Sequence, residues 1–413
     1  MQTLSKLRRM TLAEIACRGR QETSKWMDRM ALPSTQAAAV AGTQRTSAAE
    51  AAKHAMAQFR STRAARLFDA AAVAEIGARW PNATGDLLTA AEGICAGQFS
   101  LLGYEGLSFG TQVDWHLDPI RHQRSPARHW SRIDPLDSRE VGDSKIVWEL
   151  NRHQWLVTLA QAYRISGDER YAARAGELLS SWLEANPRGR GINWSSSLEV
   201  SYRLIAWSWA LAMLHSTPVI ERSPFAGLAG AIREHARHIE RYLSYYFSPN
   251  THLTGEALGL FYAGVLFDAF PEASRWRDLG RRVLIEQSER QILGDGVHFE
   301  QAACYHRYTI EIYLHALLLA ERFGIELPAD LGSRTERMFD LLMHVAQPDG
   351  GMPDLGDADG GWLLPLVRRA PLDCRGVMAW GASWFRRRDL AWLTGGRRRS
   401  RLGTRDRRPP SSR

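Results

Sequence analysis

Two short stretches of the sequence combine side chains that can transfer protons or neutralise charge. Residues 250–256 read NTHLTGE, and His252 and Glu256 stand four positions apart. A helix would place these two on one face, where the carboxylate can orient the imidazole. Asn250 can equally well cap the start of that helix. The spacing therefore indicates either an acid–base pair or an ordinary helix start.

The second stretch, DGVHFEQAACYHRY at 295–308, contains Glu300, Tyr305 and His306. A tyrosine hydroxyl ordinarily titrates near pH 10, so Tyr305 acts as a base only where cations stabilise the phenolate. His306, Arg307 and a facing His252 can supply that charge. The alternative is a tyrosine that packs in the core or at an interface.

Two further polar clusters lie earlier in the chain, within WELNRH at 148–153 and within GINWSSSLEVSYR at 191–203. Their candidate binding residues are Asn151, Arg152 and His153 in the first cluster and Asn193, Trp194 and Arg203 in the second. A solvated helix face also explains the first cluster. In the second, Glu199 and Arg203 are four apart, so an ion pair on a helix surface is the alternative.

Fifteen tryptophans are many for 413 residues. A tryptophan face can pack in the core or can stack on a sugar ring. Apolar helical patterns surround Trp155, Trp182, Trp207 and Trp209, which predicts core positions. Polar residues surround three other tryptophans, which are therefore better candidates for lining a sugar-binding groove: Trp115, Trp148 and Trp194.

The net charge of +8 does not indicate a nucleic-acid partner. Residues 397–413 hold eight arginines and one aspartate, so they account for +7 and leave the rest of the chain near +1. The longest apolar run, Leu204 to Leu214, is about half of the roughly 20 residues that a membrane-spanning helix needs. Four separated cysteines and the lack of an HExxH motif predict neither a disulfide framework nor a metal site, and no secretory signal is visible.

The elements that must position these residues are predicted to be helices. Apolar residues recur at helical spacing from Ile146 onward, and Ser196 with Glu199 fits a capping box. The further helices are predicted at about 225–246, 251–269, 275–293, 305–323 and 333–347. Pairs of about 45–50 residues are typical of stacked helical hairpins, in a solenoid or a closed (α/α) toroid. The predicted class is therefore all-α, with short strands around Phe99–Phe109.

Four segments together resemble the heparinase II/III-like polysaccharide lyases over roughly residues 100–390: WELNRHQWLVTLAQAYRISGDERY, GINWSSSLEVSYRLIAW, SPNTHLTGEALGLFYAG and LGDGVHFEQAACYHRYTIE. The resemblance implies an N-terminal (α/α) toroid followed by an antiparallel β-sandwich. It also implies β-elimination on a uronic-acid polysaccharide, such as heparan sulfate, alginate or a related exopolysaccharide, without a cofactor.

The same resemblance assigns roles to the candidate residues. Asn250 and His252 match positions that neutralise the uronate carboxylate, and Tyr305 matches a tyrosine that shuttles protons as base and acid. Glu256 would orient His252. The implied substrate-binding residues are Asn151, Arg152, His153, Asn193, Trp194, Arg203, Glu256, Glu300 and His306.

The chain departs from the family pattern after residue 350. We expect an N-terminal extension at 1–60, a toroid at 61–350, a linker with the start of a β-sandwich that is otherwise missing at 351–395, and a basic tail at 396–413. The family resemblance implies the periplasm or cell envelope, whereas the visible N-terminus implies the cytoplasm. Two other functions fit the residues. One is a glycoside hydrolase using two of Glu149, Glu256 and Glu300, and the other is a non-catalytic polysaccharide-binding toroid.

Overall fold

The computed structural model describes residues 10–30, 49–69, 72–357, 361–364, 366, 370 and 372–394. Helices dominate this part of the chain, which confirms the all-α class. The first helices are α1 (Leu12–Met30), α2 (49–58), α3 (Ala64–Leu67), α4 (Ala72–Arg79), α5 (Pro81–Cys95), α6 (Ser138–Val141) and α7 (Ser144–Asn151). A π-helical turn, Phe59–Arg63, joins α2 to α3.

The main body follows as consecutive helical pairs. Its helices are α8 (Gln154–Ser166), α9 (Glu169–Ala185), α10 (Ser197–Leu214), α11 (Leu228–Arg241), α12 (Thr251–Leu266), α13 (Ala273–Gln291), α14 (Ala303–Phe323) and α15 (Ala329–Val345). Two short helices end the described chain, α16 (Arg375–Trp384) and α17 (Arg388–Leu393). The predicted helices are confirmed, with ends that differ by a few residues.

Strands are confined to two small antiparallel ladders. Strand β1 (Gln98–Leu101) pairs with β2 (Tyr104–Ser108), with Phe99 opposite Leu107. Strand β3 (Leu117–Asp118) pairs with β4 (Gln123–Arg124). The first ladder confirms the strands predicted around Phe99–Phe109.

The paired helices form an inner and an outer wall. The even-numbered helices α8, α10, α12 and α14 contact one another in that order, and each packs against the odd-numbered helix that follows it. Every residue of α10 is buried, as is every residue of α12 except His252. In the outer helix α11, by contrast, apolar residues are buried on one face only. A helix that is buried on all sides needs apolar residues all round, which explains the long apolar runs in α10 and α12.

Glycines allow the closest of these helix pairings. A Cβ on Gly264 would lie 2.3 Å from the backbone nitrogen of Arg277, and a Cβ on Gly280 would lie 2.6 Å from the carbonyl oxygen of Ala257. Helices α12 and α13 therefore pack backbone against backbone. Side chains at either position would force the inner and outer walls apart.

The segment after α15 differs from the prediction. Residues 351–395 were expected to form a linker and the start of a β-sandwich, but the described residues 372–394 fold as α16 and α17 and pack on α14 and α15. Apolar side chains of this segment, including Leu363, Val377 and Leu390, join the main core. The predicted extension at 1–60 contains helices α1 and α2. The predicted tail at 396–413 lies outside the described residues.

None of the helices in the described ranges has the length and apolar character required to cross a membrane.

Candidate active site

The N-terminus of α12 carries two of the three predicted catalytic residues. Asn250 is the N-cap, and its Oδ1 accepts a hydrogen bond of 3.1 Å from the backbone nitrogen of His252. The capping alternative for Asn250 is therefore confirmed. Both Asn250 and His252 are half-buried, so they remain accessible from the surface.

A protein carboxylate already lies at this helix start. Asn250 Nδ2 donates to Glu300 Oε1 at 2.8 Å, and the backbone nitrogen of Thr251 donates to Glu300 Oε2 at 3.1 Å. The hydroxyl of Thr251 donates to the same oxygen. Negative charge is stabilised near a helix N-terminus, so Glu300 takes the place predicted for a substrate carboxylate. The Asn250 amide group has two N–H donors, and this contact uses one of them.

Tyr305 lies half-buried in the first turn of α14. Its hydroxyl donates to Asp357 Oδ2 at 2.8 Å, and Lys145 Nζ lies 4.0 Å from Asp357 Oδ1. Sequence reasoning missed both Asp357 and Lys145. The only available signal was the acidic, glycine-rich stretch at 354–360, which was interpreted as a linker.

The cations predicted to stabilise a Tyr305 phenolate have other partners. His306 Nε2 donates to the carbonyl oxygen of Met338 at 2.8 Å, and burial lowers the pKa of His306, which keeps the imidazole neutral. Arg307 donates to Glu311 Oε1 at 2.8 Å. Both side chains are buried. A neutral His306 cannot supply the predicted charge, whereas support of a phenolate by Arg307 stays a prediction.

Behind the surface lies a buried ionic cluster centred on Arg152. Its guanidinium donates to Glu199 at 2.6 and 2.9 Å, lies 2.6 Å from Glu149 Oε2 and donates to the hydroxyl of Tyr308 at 2.6 Å. Burial alone would lower the pKa of Arg152, but the two carboxylates outweigh it and raise that pKa well above its usual value. Tyr308 is one helical turn from Tyr305, so this cluster supports the base of the candidate site.

The predicted partner of Glu199 was wrong. Ser196 is the N-cap of α10, as predicted, but its side chain makes no capping hydrogen bond, and Glu199 reaches Arg152 instead of Arg203. Burial lowers the pKa of Arg203 to about 9. The Arg203 guanidinium donates to the carbonyl oxygens of Asn151 and Asn193, each at 2.9 Å. It is a fully buried cation of α10 that binds the end of α7 and the short 3-10 turn at Ile192–Trp194.

The remaining partners of Arg203 are aromatic. Its Nε donates to His235 Nε2 at 2.9 Å, and the guanidinium carbon lies 4.5 Å from the ring centre of Trp182 and 6.0 Å from that of Trp194. Trp194 is only 2% exposed. A sugar therefore cannot stack on Trp194 in this structure, and the prediction that it lines a groove is corrected.

The burial of the other tryptophans agrees with the predictions at some positions and contradicts them at others. Trp155, Trp182, Trp207 and Trp209 are buried, as predicted, and so is Trp115, contrary to the groove prediction. Only Trp148 of the groove candidates is half-buried, and its Nε1 donates to the carbonyl oxygen of Ile192.

Asn151 and His153 are fully buried and bonded to tryptophans. Asn151 Oδ1 accepts from Trp182 Nε1 at 2.6 Å, and His153 Nδ1 accepts from Trp207 Nε1 at 2.8 Å. Burial, with the nearby charge of Arg203, lowers the pKa of His153 well below its usual value. The predicted solvated helix face is therefore absent here, because the inner wall covers it.

Glu256 also has a different environment from the predicted one. Both of its oxygens accept from Ser244, Oε2 from the backbone nitrogen at 2.7 Å and Oε1 from the hydroxyl at 2.6 Å. The side chain is fully buried, and this burial raises the pKa of Glu256 to about 8 despite the Ser244 hydrogen bonds. A neutral carboxyl bonded to Ser244 is a structural group.

Burial thus divides the predicted residues into two sets. Asn250, His252, Glu300 and Tyr305 are half-buried at the ends of inner-wall helices. Eight predicted substrate-binding residues are buried behind them and contact protein groups, which corrects their predicted direct contacts with a polymer: Asn151, Arg152, His153, Asn193, Trp194, Arg203, Glu256 and His306.

Aromatic packing joins the helix ends that carry the half-buried set. The rings of Tyr202 and Tyr308 stack with centres 5.8 Å apart, which connects α10 to α14. A Cβ on Gly255, one turn after His252, would lie 3.2 Å from the Tyr202 ring, which connects α12 to the same place. The predicted catalytic residues therefore lie at one end of the inner wall.

The glycoside hydrolase alternative needs two accessible carboxylates flanking a glycosidic bond. Glu149 is 5% exposed and Glu256 is fully buried, which leaves Glu300. Of the three candidate carboxylates, two are thus inaccessible. In the part of the chain that the structure describes, no group of three or more metal-ligating side chains is assembled.

Comparisons with known proteins agree with this architecture. The family model described as heparinase II/III N-terminus matches residues 27–362. A heparin-sulfate lyase of Bacteroides stercoris is 28% identical over 284 residues, covering 63% of this chain and 39% of that protein. A heparin-sulfate lyase of Pedobacter heparinus is 26% identical over 291 residues, covering 69% of this chain and 39% of that protein.

A solved structure shows the same fold. The crystal structure of heparinase III superposes with a TM-score of 0.55 at 20% identity, over 75% of this chain and 46% of that one. This likeness confirms the helical toroid. The chain spans 39% of the length of each of these two curated relatives. Since the family model covers most of the sequence, the chain belongs to the heparinase II/III N-terminus family.

Proposed function

We propose that this chain provides the toroid part of a polysaccharide lyase that cleaves a uronic-acid polymer by β-elimination. The observation that carries the proposal is the half-buried set of Asn250, His252, Glu300 and Tyr305 at the end of the inner wall. Asn250, His252 and Tyr305 are the predicted catalytic residues, and they lie at the surface, whereas the predicted binding residues behind them are buried. The matched curated relatives are heparin-sulfate lyases, which supports heparan sulfate as the first polymer to test.

β-Elimination needs three things from these residues: donors that neutralise negative charge, a base that removes a proton and an acid that supplies one. The C5 proton of a uronate is weakly acidic while the neighbouring carboxylate is charged, so donors must neutralise that carboxylate and the developing enolate. The second N–H of Asn250 is suited to this, because Glu300 fixes the orientation of the amide through the first. His252 and Tyr305 are the groups that can exchange protons at the surface.

In the proposed step, a base removes the C5 proton, and that electron pair forms the C4–C5 double bond. The bond between C4 and the leaving oxygen breaks, and an acid protonates that oxygen. The buried residues act indirectly: the cluster around Arg152 supports the turn that carries Tyr305, and the Arg203 contacts fix the end of α7 at Asn151 and the turn at Asn193. We propose positioning roles for them.

The test is to incubate the chain with heparan sulfate, alginate and other uronate polymers and to follow the near-ultraviolet absorbance of unsaturated products. We expect product formation, and we expect Tyr305→Phe to lower the turnover at least about 100-fold, the usual contribution of a general acid or base. Tyr104→Phe is the matched control, since Tyr104 lies exposed on β2.

Two results would overturn parts of this proposal. Full activity in Tyr305→Phe would remove Tyr305 from the mechanism. Measurable binding of the polymers with no unsaturated product from any of them would show that this chain is a polysaccharide-binding toroid.

A further inference from the structure

The backbone on both sides of Asp357 is attached to α14, and this holds the Asp357 carboxylate against the hydroxyl of Tyr305. The backbone nitrogen of Ala303, at the start of α14, donates to the carbonyl oxygen of Leu355 at 3.0 Å. Gly356 follows with a φ of +73°, and a Cβ there would lie 2.9 Å from Ala302. Only glycine fits this conformation and this close approach without strain. The segment before Asp357 is therefore fixed directly on the first turn of α14.

The chain is anchored again shortly after Asp357. The carbonyl oxygen of Gly361 accepts from Arg307, and the backbone nitrogen of Leu363 donates to Glu311 Oε2 at 2.9 Å. The Arg307 guanidinium lies 3.5 Å from the ring centre of Trp362. These contacts tie both flanks of Asp357 to the same helix that carries Tyr305.

We infer that Asp357 is a positioning residue for Tyr305, whose carboxylate fixes the phenol oxygen and keeps the hydroxyl protonated as a proton donor. The hydrogen bond from the Tyr305 hydroxyl to Asp357 Oδ2 is 2.8 Å long. A neutral phenol can make this bond, whereas a phenolate would lose the bond and would place two negative charges side by side. The resting state of the pair is thus a protonated tyrosine beside a carboxylate.

Other charged groups around the pair do not reverse this preference. Lys145 of α7 lies 4.0 Å from Asp357, with the two side chains 49% and 65% exposed, so its charge is screened by solvent. His252 lies in the first turn of α12, and the carboxylate of Glu300 accepts hydrogen bonds from Asn250 and Thr251 at the start of that helix. Arg307, on the same helix as Tyr305, is paired with Glu311.

This inference rests on the proposed function for its role in the reaction. As the bond between C4 and the leaving oxygen breaks, that oxygen takes the electron pair of the bond and the proton of the Tyr305 hydroxyl. The C5 proton goes to a separate base, for which the proposed function leaves the His252 imidazole, and the C5–H electron pair becomes the double bond. Tyr305 then regains a proton from solvent and returns to its bond with Asp357.

The first test measures Tyr305 ionisation without any substrate. The near-ultraviolet tyrosinate absorbance of the chain is titrated, and the titration of Tyr305→Phe is subtracted, so the difference reports Tyr305. The same subtraction is made in the background of Asp357→Asn. We expect Tyr305 to ionise about one pH unit lower in that background, the size of a contact between two charges about 4 Å apart in water.

Two further variants complete this measurement. Asp354→Asn is the matched control, because Asp354 is exposed in the same segment, and it should leave the ionisation unchanged. Asp357→Ser is a second neutral variant that should reproduce the shift. An unchanged or higher ionisation pH of Tyr305 in both Asp357 variants would overturn the inference.

The second test follows kcat/KM against pH for unsaturated product formation. We expect the alkaline limb to move to lower pH in Asp357→Asn, by the same amount as the ionisation. If Tyr305 ionises at lower pH in Asp357→Asn but no polymer gives product, the contact between Asp357 and Tyr305 is supported and the proposed function is refuted. If product forms but the ionisation of Tyr305 does not shift, the positioning role of Asp357 is refuted and the proposed function is retained.

Discussion

Replacing Glu256 by glutamine should make the protein more stable at alkaline pH and leave it nearly unchanged at acidic pH. The carboxyl is fully buried and contacts Ser244 through both oxygens. In the charged form both Glu256 oxygens accept from Ser244; once the carboxyl is neutral, its protonated oxygen can instead donate to the Ser244 hydroxyl while the other still accepts from the backbone N–H. A glutamine can make the same two hydrogen bonds without ever becoming charged.

The magnitude follows from the shifted pKa. Burial raises the pKa of Glu256 from 4.5 to about 8, so the folded state holds a proton that the unfolded chain releases. The contribution of this carboxyl to stability is complete below about pH 4.5 and is lost as the pH rises toward 8. Each pKa unit corresponds to about 1.4 kcal/mol. The wild-type chain should therefore lose about 3 kcal/mol from this group between about pH 5 and pH 8.

The assay is urea unfolding of wild type and Glu256→Gln at these two pH values. We expect the difference in free energy of unfolding to change by about 3 kcal/mol in favour of the variant on going to the higher pH. Glu184→Gln, an exposed position near the end of α9, serves as the control and should show no such change. A constant difference at both pH values would refute a neutral, buried Glu256. It would favour the charged partner of His252 that the i, i+4 spacing first predicted.

Two further substitutions test the packing behind the site. Arg152→Leu should lower the free energy of unfolding by about 3–5 kcal/mol, because Glu149 and Glu199 would stay buried without their cation; an unchanged urea midpoint would contradict this. Gly280→Ala should cost about 1–3 kcal/mol through its contact with the backbone of α12. Gly332→Ala in α15 has open space and should be neutral or stabilising in the same urea series.

The helices could be predicted from the sequence because the signals for a helix lie within a short stretch of chain, whereas the choice of a toroid over a solenoid came from the family resemblance. Apolar spacing and helix-breaking residues identified the helices from α8 to α15, and Asn250 and Ser196 were placed correctly as N-caps. The segment 372–394 could not be predicted, since its helices are short and its apolar residues are buried by contacts with α14 and α15 rather than by a long pattern of their own.

The partners of charged residues could not be predicted, because they come from distant parts of the chain. Glu199 pairs with Arg152, 47 residues earlier, and not with Arg203 one turn later. The spacing of Glu199 and Arg203 is typical of an ion pair on a helix surface, yet every residue of α10 is buried and the helix contacts both α8 and α12. The Asp357 contact with Tyr305 spans 52 residues and has no local signal.

Burial also limits which groups at the candidate site can change charge near neutral pH. Burial lowers the pKa of His298 to about 3 and also lowers that of His306, so both are neutral there. Among the described histidines at this end of the inner wall, His252 is the half-buried one, and histidine is the side chain that ordinarily titrates between about pH 5 and pH 8. In Glu256→Gln the contribution of Glu256 to the pH dependence of stability is removed from this range. We expect kcat/KM of that variant to keep an acid limb if His252 is the base, and the double variant with His252→Gln tests this; an unchanged acid limb in the double variant would remove His252 from that role.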